Sequence, residues 1–336
     1  MGQLRILISR PDRIGDVVLS TPIPRELKIK YPDCYIAVLL RSYTKDIYLN
    51  NPHVDAIIIY DPDNPDEDFL TKLKEIKKHK FTHALMLLPN KEINYMLFLA
   101  GIRTRIGSGH KFYQFITFTR SVSRNNYFPL RHEADYCMDL ARKTGVVTEN
   151  IDTEIHLTEY EKIKAGIIRE KLAPHGGMIV GIHASSGGSA PNWTPEKYVE
   201  LLHILKKREG IKVVITDNSP DKMVDGIEGV SYPNKKLTLR DSLLNFAALD
   251  ILISASTGPM HIAAALKVKT LSLFCPMTAC SPELWGPKGN KSVIIMPEGN
   301  HCGLICNDDP KLCRFEEKAA ITCETVFQKT IDLLRS

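Results

Sequence analysis

The stretch LRILISRPDRIGDVVLST, residues 4–21, passes from an unbroken apolar run into a segment with helical character. A strand that is apolar at nearly every position, rather than at every second one, is covered on both faces, which is the habit of parallel sheets. The turn that follows carries Asp12, Arg13 and Asp16. A carboxylate there has two readings. It caps the helix by accepting from the first free amides, or it is a base aimed into a crevice.

The same alternation runs outward from this point. RILIS is followed by helical character over 16–30, CYIAVLL (34–40) by 43–50, VDAIIIY (54–60) by 66–79, and HALMLL (83–88) by 91–100. HEADYCMDLARKTGV (132–146) reads as a helix ending at Gly145, residues 146–175 as a transition, and APHGG (173–177) as punctuation. A second series then begins: MIVGIH (178–183), IKVVIT (211–216), DILISAS (250–256) and KTLSLF (269–274), with helices between. Thr194-Pro195-Glu196 and Thr238-x-x-Asp241 are helix starts of the capping type. At roughly 150 residues per domain, the 336 residues make two doubly wound α/β domains in tandem. Ligands of such sheets bind beyond the carboxyl ends of the strands, which for two facing sheets means the cleft between them.

Composition narrows the partners. The chain is 43% hydrophobic and 25% charged with a net charge of +5, a mild basic excess that suits anionic ligands or lipid surfaces. Its densest basic run, KLKEIKKHK (72–80), places Leu73 and Ile76 at i, i+3 and so reads as a helix with a solvated lysine face. No nucleic-acid partner is expected. No apolar run approaches the roughly 18 residues of a membrane span, and MGQLRILISRPDR lacks the pattern of a signal peptide. A cytoplasmic protein is the expectation.

Four of the eight cysteines, Cys302, Cys306, Cys313 and Cys323, cluster near the C-terminus, and their thiolates could share one tetrahedral ion. Their spacing contains no CxxC pair, so no metal is expected there. Asp61 and Asp63 in DPDNPDED (61–68) invite a Mg²⁺ or Mn²⁺ reading. A solvated acidic turn explains them better.

Two loops carry the strongest chemistry. In SASTGPMHIAAAL (254–266) a buried strand ends at Ser256, the chain turns through Thr257 and Gly258, and Pro259 opens a helix with Met260 and His261 in its first turn. Free amides and the helix dipole make that start a diphosphate site. His261 either donates to a phosphate or satisfies a local carbonyl. In HASSGGSAPNWTPEKY (183–198), Ser185, Ser186, Gly187, Gly188 and Ser189 form a second anion-binding loop between a strand and a capped helix. Neither a Walker A loop nor GxGxxG is present. A third stretch, HKFYQFITFTRSVSR (110–124), mixes four aromatics with Lys111, Arg120 and Arg124. It suits a membrane surface and an anionic lipid-linked acceptor, although the aromatics could equally fill the core.

Together these stretches resemble glycosyltransferase family 9, the heptosyltransferases of bacterial lipopolysaccharide synthesis. The likeness covers nearly the whole chain: IGDVVLSTPIPRELKIKYPDCYIAVL (14–39), SSGGSAPNW (185–193), TLRDSLLNFAALDILISASTGPMHIAAALKV (238–268) and the cysteine-rich end. It implies the GT-B fold, two Rossmann-like domains facing across a cleft, with the acceptor bound by residues 1–160 and the nucleotide-sugar donor by 172–336. The last helix is free to pack back on the first domain. The resemblance makes Asp16 the general base for the acceptor hydroxyl. It assigns Ser185–Ser189, Ser256–His261 and Asp221 to the donor, and no cofactor is implied beyond the nucleotide-sugar substrate. Arg13, Lys111 and Arg120 are the candidates for the acceptor. The expected reaction is an inverting, metal-independent transfer, with ADP-heptose as donor and a lipopolysaccharide core or related glycan as acceptor. Peripheral contact with the cytoplasmic face of the inner membrane goes with it. The alternatives are a sugar-nucleotide epimerase or hydrolase, or a non-catalytic binding protein. The chain departs from the family pattern twice, with Pro191 where Lys is common and Ser256 where Asp is common.

Overall fold

A computed structural model describes residues 3–64, 67–297, 309, 312–315 and 321–336. The chain divides into two compact units, Met1–His156 and Leu157–Ser336.

The first unit is built on β1 (Arg5–Ser9), β2 (Tyr35–Leu40), β3 (Ala56–Ile59), β4 (His83–Met86), β5 (Thr104–Ser108) and β6 (Arg120–Val122). They pair in parallel in the order β3-β2-β1-β4-β5-β6, which is the Rossmann order with its switch point between β1 and β4. Leu7, Ala37, Leu39, Ile58 and Met86 of the strands pack against Ile93 and Leu97 of α4 (Lys91–Leu99). In α3 (Phe69–Lys78), Asp68 caps the first amides and Leu73 and Ile76 are buried, which leaves the lysines on the outer face as the spacing requires.

Three elements differ from the sequence reading. The helix expected over 16–30 is two helices, α1 (Ile14–Val18) and α2 (Pro22–Lys30). The Ser20 and Thr21 hydroxyls donate to the carbonyls of Val17 and Val18, and Pro22 has no amide to continue the ladder. The helix expected over 43–50 is a 3-10 turn at Ser42–Ile47. Strands β5 and β6, with the short α5 (Phe112–Ile116) between them, lie in a segment whose polar residues hid its periodicity. Arg105 of β5 is buried and its guanidinium donates to the carbonyls of Ile102 and Thr117. The helix after this segment, α6, spans Glu133–Arg142.

The second unit opens with α7 (Glu159–Leu172), inside the stretch read as a transition. A Thr158–Glu161 capping box starts it, and only Ala165 is buried, so it lacks a wide apolar stripe. Strands β7 (Met178–His183), β8 (Ile211–Ile215), β9 (Ile251–Ala255), β10 (Lys269–Leu273) and β11 (Ser292–Ile295) pair in parallel in the order β11-β10-β9-β7-β8. The switch point here lies between β7 and β9. Helices α8 (Pro195–Lys206), α9 (Leu239–Ala247), α10 (Gly258–Ala265) and α11 (Pro282–Trp285) follow the strands. The last, α12 (Cys323–Arg335), puts Val326 and Leu333 into the core of this same unit, beside Leu201, Leu205 and Leu273.

The interior strand β7 tolerates no side chain at Gly181: a Cβ there would stand 2.5 Å from Leu249 Cδ1. Overpacking of a close-packed interior costs about 1–3 kcal/mol. Gly181→Val is expected to lower the unfolding free energy by about that amount, read as a shift of the urea midpoint.

Candidate active site

Arg10 follows the last residue of β1 and its side chain is buried, 3% exposed. Its Nη1 donates across the switch point to the Leu87 carbonyl beyond β4, at 3.2 Å. Its Nη2 donates to Asp16 Oδ1 at 2.6 Å and to Glu133 Oε1 at 3.2 Å, and Asp12 Oδ2 lies 3.5 Å from Nε. Glu133, the first residue of α6, is 1% exposed and also accepts from Arg124 at 2.5 and 2.9 Å. Arg124 in turn donates to Ser108 Oγ at the end of β5. Three carboxylates thus share two guanidinium groups.

Of the three carboxylates, Glu133 is closed off, whereas Asp12 and Asp16 are 20% and 21% exposed and can meet a substrate; of these two, Asp16 makes the close contact with Arg10, at 2.6 Å. Burial pushes its carboxyl up, Arg10 pulls it back, and the negative Asp12 and Glu133 add to the rise. The result is a pKa of about 6. Such a group is ionised at neutral pH yet basic enough to accept a proton. The capping reading fails, because the N-cap of α1 is Arg13 and Asp16 stands inside the first turn. Arg13 is exposed beside it.

The two loops of the second unit expected to meet the donor follow β7 and β9, neighbouring parallel strands with His183 level with Ser254. Both loops therefore leave the sheet at one switch point. After β7, the amides of Ala184 and Ser185 donate to the two carboxylate oxygens of Asp217, at 2.8 and 2.9 Å. Asp217 ends β8's extension and is 1% exposed, with His183 Nε2 3.6 Å away. Gly187 and Gly188 take φ +54° and +69°, a left-handed pair that favours glycine. Ser189 closes this turn by donating its amide and hydroxyl to the Ser186 carbonyl. The loop is therefore pinned at Ser185 and Ser189, and the amides offered to an anion narrow to Ser186, Gly187 and Gly188. Pro191 is buried, and Asn192 donates to the Ala184 carbonyl at 2.7 Å to hold the loop's far end.

After β9, Thr257 is the N-cap of α10, Gly258 its first residue and Pro259 its second, one position later than the sequence suggested. Ser256 is half-buried, while Thr257, Met260 and His261 are buried. Asp221 stands apart from this arrangement. It is exposed, and its carboxylate accepts from the Met223 amide in a turn of its own. The acidic residue that holds the loop after β7 is Asp217, four residues earlier. A lone Asp at a strand end carries no motif, so sequence reasoning missed it.

Lys111 and Arg120 are exposed at either end of the α5 segment. Phe112, Phe115 and Phe118 are 78–82% exposed, which corrects the core-filling alternative. The residue α5 buries is Gln114, whose side chain accepts from the Lys111 amide and donates to the Ser108 carbonyl. Beside Lys111 and Arg120 lies a cavity of about 560 Å³ lined by His110, Ser121, Ser123, Asp139, Arg142 and Lys143. Asp61 and Asp63 do not converge: one accepts from the Ser42 amide and the other pairs with Arg41. Of the cysteine cluster, Cys302 and Cys306 lie outside the described residues. Cys323 is buried and donates to the Lys197 carbonyl, and burial pushes its thiol up to about 12.

The model of glycosyltransferase family 9 (heptosyltransferase) matches residues 72–306. The chain belongs to that family. It is a glycosyltransferase, and its two Rossmann-like units are those of the GT-B fold. A curated putative glycosyltransferase of Haemophilus influenzae is 26% identical over 299 residues, 84% of this chain and 86% of its own. Among solved structures, the glycosyl transferase family 9 protein of Veillonella parvula superposes with a TM-score of 0.81 at 19% identity, covering 99% of this chain and 97% of that one. The E. coli ADP-heptose lipopolysaccharide heptosyltransferase II gives 0.75 at 19% identity, with 99% of each chain covered.

Removing one partner from a buried ion network leaves charge uncompensated, at a cost of about 3–5 kcal/mol. Glu133→Ala, which strips an anion from both Arg10 and Arg124, is expected to destabilise the glycosyltransferase by that order in denaturant titration.

Proposed function

We propose that the protein is an inverting, metal-independent heptosyltransferase that moves a heptose, or a related sugar, from a nucleotide diphosphate donor, ADP-heptose first among them, to a lipopolysaccharide core or similar glycan. The observation that carries this reading is Asp16: a partly exposed carboxylate at the first unit's switch point, tied to Arg10, with its pKa raised to about 6.

In the proposed reaction the acceptor hydroxyl oxygen forms a bond to the anomeric carbon while the bond from that carbon to the diphosphate oxygen breaks on the opposite face. Asp16 takes the hydroxyl proton as attack proceeds. The departing diphosphate carries the bonding electrons away and is met by the amides of Ser186–Gly188 and the N-terminus of α10, with Ser185, Ser189 and Ser256–His261 shaping the site. Asp221 is assigned the nucleoside by family resemblance, and its exposed position leaves its carboxylate accessible. The cavity lined by His110, Arg142 and Lys143, with Lys111 and Arg120 next to its lining residues in sequence, suits an anionic acceptor, and the exposed Arg13 near Asp16 is assigned to the same ligand. The exposed Phe112, Phe115 and Phe118 between Lys111 and Arg120 suit contact with an anionic membrane face that presents a lipid-linked acceptor.

Sugar transfer measured with ADP-, GDP- and UDP-sugars, with and without acceptor glycan, tests the reading. Acceptor-dependent release of nucleotide supports it. Acceptor-independent release or rearrangement of the donor would mark a hydrolase or epimerase instead, and binding without turnover a non-catalytic protein. Pro191 and Ser256, where the family commonly has Lys and Asp, make this comparison of donors informative.

Asp16→Asn is expected to lower kcat by about 10²–10⁴, the usual worth of a positioned base. The base works only as the carboxylate, so kcat/KM should fall as pH drops through about 6. For an unshifted Asp the fall would begin about two units lower. A flat profile down to pH 4.5 contradicts the assignment.

Co-sedimentation with vesicles separates the membrane contact from the chemistry. Binding to anionic but not neutral vesicles, weakened at least tenfold in Phe112→Ser/Phe115→Ser, is expected. Equal pelleting of that variant and the parent chain sinks the contact.

A further inference from the structure

His53, Glu154 and His156 meet within the first unit, although the loop before β3 supplies the first and the closing segment of the unit the other two. Their nearest ligand atoms all lie within 4.8 Å of one another. Glu154 Oε1 stands 3.2 Å from His156 Nε2 and 3.8 Å from His53 Nε2. The two imidazole rings are inclined at 80° with centroids 6.1 Å apart.

The backbone explains the convergence. Burial alternates along residues 153–156, with Thr153 and Ile155 buried and Glu154 and His156 half-buried, so the two ligand side chains, two apart, share the more open side. The Glu154 amide donates to Thr21 Oγ1 at 3.0 Å, which fixes the segment against the start of α2. His53 is set by Asn51, a buried residue whose side chain accepts from the His53 amide at 2.9 Å.

We infer that His53, Glu154 and His156 form a binding site for Zn²⁺, with water completing the coordination. Zinc bonds to imidazole nitrogen and carboxylate oxygen are about 2.0–2.2 Å long, so tetrahedral geometry separates ligand atoms by about 3.3–3.5 Å. The two Glu154 distances bracket that value. Two histidines and a carboxylate are a common donor set for this ion. The other carboxylate oxygen, Oε2, accepts from Arg25 Nη1 at 2.8 Å, and Arg25 also donates to the Asp152 carbonyl. That is the outer support that orients a ligating carboxylate and leaves Oε1 for the ion. The three side chains are 14–32% exposed, sheltered enough to hold geometry and open enough for the ion to enter. The ion ties the loop before β3 to the segment that ends the first unit at His156, a structural role apart from the transfer proposed above.

Full-length protein stripped with EDTA and titrated with Zn²⁺ in a calorimeter tests this. One equivalent is expected that is lost, or weakened at least tenfold, in His53→Ala and in His156→Ala. Co²⁺ in its place should show an absorption spectrum without thiolate charge-transfer bands, which excludes the C-terminal cysteines as its ligands. Zn²⁺ should also raise the melting temperature of the parent chain and not of the variants. Glu154→Gln, which keeps an acceptor for Arg25, serves if a histidine variant fails to fold, and it too should lose the equivalent. Absence of any bound equivalent, binding unchanged by these substitutions, or thiolate bands on the sole Co²⁺ bound would overturn the site. Sugar transfer by the stripped enzyme is a separate readout. Its persistence or loss bears on the proposed reaction and not on whether the ion binds.

Discussion

The first unit depends on the buried guanidinium of Arg10. A charge taken out of water is stable only with close partners. Arg10 collects them from the turn after β1, from α1 and from α6, and it also bonds the chain beyond β4. The Rossmann order opens a gap at that point because successive connections leave to opposite sides. Arg10 fills the gap with a cation, and Asp12 and Asp16 are the carboxylates that this cation leaves partly exposed.

The second unit solves the complementary problem with the opposite sign. There a buried anion, Asp217, accepts the amides of Ala184 and Ser185 and fixes where the loop after β7 begins. Asn192 fixes where it ends, through the Ala184 carbonyl and the Tyr198 hydroxyl. Between these anchors the glycine pair is shaped by its own backbone. Under the proposed function this loop meets a phosphate with backbone amides, and a site of that kind needs such fixing because amides cannot adapt to the ligand as a long side chain can. Pro191, buried beside Asn192, adds to the rigidity of the loop's far end.

Much of the architecture was legible in the sequence. Buried parallel strands are apolar throughout, so RILIS, YIAVLL, MIVGIH and ILISA stand out, and capping residues such as Thr194 and Thr238 mark where helices start. What escaped was written in polar residues. Strand β5 and the edge strand β6 carry Thr104, Arg105 and Arg120, and α7 has a thin apolar face. In the candidate site, the positions of Asp16 and of the loops after β7 and β9 at strand ends were readable because strand, turn and helix follow one another. Arg10, Glu133 and Asp217 were not, since their partners come from other elements and only folding brings them together. The same holds for His53, Glu154 and His156, which share no local spacing.

The doubling of Arg10's partners has a consequence for repeated turnover. A base that accepts a proton at each cycle ceases, for that moment, to be an anion, and a guanidinium paired with it alone would be stranded in the interior. Here Glu133 pairs with Arg10 as well as Asp16 does, so the guanidinium keeps a buried anion when Asp16 is neutral. In the proposed reaction the scaffold would then hold its shape while Asp16 changes state, and the site would return to readiness by losing a proton rather than by rearranging.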